Sequence, residues 1–161
     1  GHREILEDLL NAGAAIDSPA GEEGRTALYL ASLRGREVIV EALVARGAAA
    51  NGKDRSGRTA VHAAAETGQA QVLEIIFRHG WAVESRDSEE LTPLHLACQA
   101  GHEGVARLLA EHGAPIDPVD GLGETPLHLA ALAGNRDLIA LLLSVTAPSG
   151  VVSVTVFLRR S

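Results

Sequence analysis

Thr92-Pro93-Leu94-His95-Leu96-Ala97 is the stretch that decides the fold, because the chain carries a version of it four times. Thr125-Pro126-Leu127-His128-Leu129-Ala130 follows one period later. Thr59-Ala60-Val61-His62-Ala63-Ala64 and Thr26-Ala27-Leu28-Tyr29-Leu30-Ala31 precede it at the same interval of 33. Glycines keep the beat at Gly35, Gly68, Gly101 and Gly134, and a second set does at Gly47, Gly80 and Gly113. A fixed period in this range means stacked units, each too small to bury its own apolar face. Such an array presents a binding surface more readily than it encloses a catalytic pocket.

The unit that starts at Thr92 shows how each is built. The Thr92 hydroxyl can cap a helix by accepting from an orphan amide, and Pro93 suits the first helical position, where its missing N–H costs nothing. The spacing of Leu94, Ala97 and Cys98 predicts a short helix over residues 93–100 with one buried face, ended by Gly101. Val105, Leu108 and Leu109, at i, i+3 and i+4, predict a second helix that Gly113 closes. Residues 114–121 then read as an extended arm and a tight turn. The unit is helix, turn, helix and projecting finger. Ala63, Ala64, Ala65, Ala97, Ala130 and Ala131 would let successive helices approach to ~8–10 Å.

This pattern resembles the ankyrin repeat family over roughly residues 1–147, through Thr-Pro-Leu-His at 92–95 and 125–128, the glycine that follows, and Gly-Ala at 113–114. The resemblance implies an all-α solenoid of helix pairs with projecting β-turn fingers, and a role in protein–protein recognition. Ala27 and Ala60 depart from the pattern by replacing the proline, Tyr29 by replacing the histidine, and Trp81 by replacing the alanine after Gly80. The finger between Asp17 and Thr26 is one residue longer than the others. We expect a half unit at 1–16, then four units starting near residues 17, 51, 84 and 117. Ile5, Leu6, Leu9 and Leu10 fall at second-helix positions of the half unit. A tail at 148–161 is β-prone or disordered, and its run Val151–Leu158 offers a route to self-association. With no initiator Met, the chain reads as a fragment or a processed form. Asn51, eight residues after Leu43, is similar in placement to the asparagines that are hydroxylated in ankyrin-repeat proteins; a side-chain bond to the local turn is the plainer reading.

Composition narrows the function classes. A formal net charge of −7 argues against a general nucleic-acid binder. Four aromatic residues, Tyr29, Phe77, Trp81 and Phe157, are too few for a base-stacking platform. Cys98 is the only cysteine, which excludes a disulfide framework within the chain and fits a reducing, cytoplasmic setting, the nucleus being compatible. No apolar run approaches the ~18 residues of a membrane helix, and the first residues lack the apolar core of a signal peptide.

His62, His95 and His128 recur in phase and invite a metal hypothesis, which geometry opposes. Equivalent residues of stacked units lie ~10 Å apart, whereas two nitrogens on one zinc lie within roughly 3.5 Å of each other, given its short bonds and tetrahedral angles. Each imidazole should instead bond the capping threonine or nearby backbone. His102-Glu103 lacks the second histidine of a zinc-protease helix, since position 106 is Ala. Cys98 falls at a small-residue core position and reads as inert. No cofactor, metal or catalytic residue is expected.

Function should then lie where the repeat does not constrain the residue, at finger tips and on the exposed side of each first helix. These candidates are Arg25, Leu33 and Arg34, then Lys53, Arg55, Arg58 and Glu66. They continue with Arg86, Glu89, Leu91 and Gln99, and end with Leu122, Glu124 and Leu132. The four leucines are apolar where solvent favours polar groups, and a row of them predicts a patch for a partner. Residues 51–58 carry a net charge of +2, and residues 84–91 and 117–124 each carry −3. This layout predicts acidic partner groups opposite Arg55 and Arg58, and basic ones opposite Glu89 and Glu124. The expected function is non-catalytic binding of a protein or peptide by a monomer, with no nucleic-acid or membrane partner. Two alternatives are a regulatory or targeting segment of a larger enzyme or channel, and a self-assembly module.

Overall fold

The computed structural model describes residues 2–146. The expected β-prone or disordered tail at 148–161 lies outside the described residues. Nine helices are present among these: α1 (His2–Asn11), α2 (Ala27–Leu33), α3 (Glu37–Ala45), α4 (Ala60–Glu66), α5 (Ala70–Arg78), α6 (Pro93–Ala100), α7 (Glu103–Glu111), α8 (Pro126–Leu132) and α9 (Arg136–Thr146). The helix predicted over 93–100 is α6, and Gly101 ends it in the left-handed region at φ 80°. Helices α2, α4, α6 and α8 pack in series as one layer, while α1, α3, α5, α7 and α9 form a second layer behind them. The only β pairing among the described residues is an isolated bridge between Ala20 and Arg25 in the first finger.

Burial follows the repeat. Leu28, Leu43, Leu73, Ile76, Leu94, Leu109, Leu138 and Leu142 are fully buried between the layers. Ala63, Ala64, Ala65, Ala97 and Ala130 leave no solvent-exposed surface, so the first helices meet almost backbone to backbone. Truncating one of the large residues to alanine would cost about 2–5 kcal/mol, through lost burial and the cavity left behind. At the start of the array the same positions change character. Ile5 and Leu9 are 59% and 55% exposed, because among the described residues no first helix lies in front of α1 as α6 lies in front of Val105 and Leu109. Arg46 ties α3 to this helix through Glu7 and Asn11.

The threonine–histidine pairs explain how units register on one another. The Thr92 N–H donates to His95 Nδ1 at 3.1 Å, and the His95 N–H donates to Thr92 Oγ1 at 3.4 Å. An amide can only donate and a carbonyl can only accept, so the ring is neutral with its proton on Nε2. That Nε2–H donates to the Glu124 carbonyl at 3.1 Å, and His62 Nε2 donates to the Leu91 carbonyl at 3.1 Å. Each imidazole therefore caps its own helix and fastens the finger of the next unit. Burial holds both rings below the ordinary imidazole range. Tyr29 keeps only the cap, its N–H donating to Thr26 Oγ1 at 3.2 Å.

Candidate partner-binding surface

The last three fingers are held by aspartates that recur at the repeat period, Asp54, Asp87 and Asp120. Asp54 Oδ1 accepts from the Ser56 and Arg58 N–H groups, both at 2.9 Å, and from Ser56 Oγ at 2.7 Å. Asp87 Oδ1 accepts from Glu89 and Leu91, and Asp120 Oδ1 from Leu122 and Glu124, at 2.8 to 2.9 Å. Burial pushes the Asp54 carboxyl up, but these donors outweigh it and hold the group below the usual carboxylate range. Neighbouring tips are also bonded to each other. Arg55 N–H donates to Glu23 O, Ser88 N–H to Ser56 O, and Gly121 N–H to Glu89 O, at 2.8 to 2.9 Å. The tips thus form one ribbon, with Arg55, Glu89 and Leu122 on successive fingers.

Several predicted contact residues turn out to serve the fold. Leu91, expected in the exposed row, is 8% exposed. Its N–H is taken by Asp87 and its carbonyl by His62, which draws the side chain into the core. Arg58, expected to face a partner, is half-buried between two carboxylates, with Nε to Asp87 Oδ2 and Nη1 to Glu66 Oε2, both at 3.1 Å. Glu66 is engaged by the same pair. Leu33 is half-buried, and so is Arg25, whose guanidinium lies 5.3 Å from the Tyr29 ring centre. Lys53 Nζ donates to the Arg86 carbonyl at 3.0 Å, and Arg86 Nη1 to the Val119 carbonyl at 2.8 Å. These two cations stitch each finger to the next.

The remaining predicted residues do present side chains. Arg34, Arg55, Glu89 and Gln99 are exposed, and Glu124 is half-buried. Leu122 and Leu132 are 86% and 74% exposed, with Val119 beside them in the sequence of the fourth finger at 51%. The Arg58–Glu66 ion pair shows that these two repeat positions, on the finger and at the end of the first helix, face each other. Glu124 and Leu132 hold the matching repeat positions one pair of units on. Asn51 is exposed and its side chain makes no hydrogen bond to the local turn among the described residues; it edges a shallow cleft of about 140 Å³ with Trp81, Glu84 and Ser85.

Sequence reasoning missed Glu90. Gly24, Gly57 and Gly123 hold positive φ at matching finger positions, and Glu90 takes φ 62° in their place. The glycine beat, silent at 90, was the available signal. Charge counting also treats Asp54 and Asp87 as solvated, although both are buried. Their spacing, equal to the repeat period, marks them as structural. Cys98 is buried, which pushes its thiol up to about 12, so it is not a nucleophile at neutral pH. Among the described residues, no group of three metal-ligating side chains converges, and no helix is long and apolar enough to cross a membrane.

No curated protein matches the chain significantly. A family model for ankyrin repeats, in three copies, matches residues 1–87 and again residues 73–150. Ankyrin repeats are in general protein–protein interaction modules and typically non-catalytic. With the helix pairs, the Thr–His ties and the fingers in agreement with that match, the chain belongs to the ankyrin repeat family.

Proposed function

We propose that this chain is a non-catalytic recognition module that binds a protein or peptide along its finger tips and first-helix ends. The observation that carries the reading is an asymmetry of use. Polar residues that keep the repeat phase are spent on caps and ties, whereas Leu122 on the fourth finger and Leu132 at the end of α8 stand 86% and 74% exposed. Exposed leucines gain most when a partner covers them. The reading as a non-enzyme rests on chemistry: the Cys98 thiol and the His62 and His95 ring nitrogens are committed to the interior. A reducing, cytoplasmic setting suits a chain whose single cysteine is buried.

Affinity capture with the full chain tests this, set against Leu122→Glu/Leu132→Glu. Both side chains are exposed, so the variant should unfold within about 0.5 kcal/mol of the parent. Captured partner should fall by about tenfold or more. Undiminished capture by the folded variant would rule the surface out.

A further inference from the structure

We propose, building on the binding surface just described, that its partner is an extended segment. It presents an apolar residue to the fourth unit, a basic residue to the third and an acidic residue to the second. The three stand about three positions apart. In the fourth unit, Leu122 on the finger and Leu132 at the end of α8 leave an apolar anchor point. In the third, Glu89 is the tip carboxylate without an ion pair among the described residues, because Glu90 is engaged by Arg86. In the second, Arg55 is exposed and makes no ion pair among the described residues, while Arg58 is held by Glu66 and Asp87. At the tips themselves the exposed side chains Leu122, Glu89 and Arg55 run apolar, negative, positive, while Asp117 and Glu124 add negative charge to the fourth finger.

The step between tips and the Arg58–Glu66 bridge set the partner's shape. Helices of successive units pack at about 8–10 Å. A chain in the polyproline II conformation repeats its face every three residues at a rise of about 3.1 Å, which gives a step of about 9 Å. An α-helix is about 10–12 Å wide. The Arg58–Glu66 contact, at 3.1 Å, bridges finger and first helix in the second unit. With finger and first helix bridged there, the partner runs along the tips. A thin, extended backbone fits there and keeps its three side chains on one side.

Selection of random dodecapeptides displayed on phage against the full chain tests the proposal. Recovered peptides should share Leu, Ile or Phe, then Lys or Arg about three positions away, then Asp or Glu about three further on. Arg55→Glu should turn the acidic preference basic, and it should weaken a parent-selected peptide about tenfold, mostly through slower association. Glu89→Arg should do the converse at the middle position. Both residues are exposed, so unchanged thermal midpoints will confirm that the variants are folded. Peptides that need Leu122 and Leu132 but show no ordered charges, or show them about seven positions apart, would overturn the chemistry while leaving the surface standing. Peptides indifferent to both leucines, or none recovered, would remove the surface and the proposal together.

Discussion

Glu90 holds a left-handed backbone, at φ 62°, where three other fingers use glycine. A side chain there costs roughly 1–2 kcal/mol, because Cβ crowds the following carbonyl. Its exposed ion pair with Arg86 returns only a fraction of that. Glu90→Gly should therefore raise unfolding stability by about 1 kcal/mol, read as a higher urea midpoint; an unchanged or lower midpoint would contradict this. Asp87 works in the opposite sense. Asp87→Ala leaves two finger amides and the Arg58 Nε without their partner, and should cost about 2–4 kcal/mol in the same assay. Glu89→Ala, two residues on and exposed, should stay within about 0.5 kcal/mol. At this scale the sequence misleads where burial is decided by distant partners. Leu91 follows an acidic finger and reads as solvated, yet the distant His62 and an aspartate turn draw it inward.

Among the elements, the first helices were legible and their fastenings were not. Thr92, Pro93 and Gly101 mark both ends of α6 by local chemistry alone. Nothing local says that His95 Nε2 ends on the Glu124 carbonyl, because that partner belongs to the next finger. The tie carries a pH signature. His62 and His95 titrate below their unfolded value, so the unfolded chain binds more protons as the pH falls. Their contribution is complete above about pH 6.5 and is lost as the pH drops through the folded values. Urea midpoints should fall between pH 7 and pH 5. His62→Gln/His95→Gln should be less stable at pH 7 and show a flatter slope over that window. An equal slope in parent and variant would mean that the titration lies elsewhere.

For the molecule as a whole, the fixed repeat period made the architecture readable, since a stacked array needs only nearest-neighbour packing. Surface function was less readable, because counting charges cannot show which are spent. Arg58 pairs with Asp87 on the next finger and with Glu66 at the end of α4, and Lys53 and Arg86 end on backbone carbonyls. What survives that subtraction is a short charged ribbon with an apolar end. We propose that recognition runs through this face and not through the helices behind it. Site-specific photo-crosslinking in cell extract tests it most directly, with the photoreactive residue at position 122 or 132, or at Glu74 on the exposed side of α5. Discrete adducts should form from 122 and 132 and be suppressed by excess unlabelled chain, while position 74 gives background. Equal or stronger competable adducts from position 74 would contradict the account.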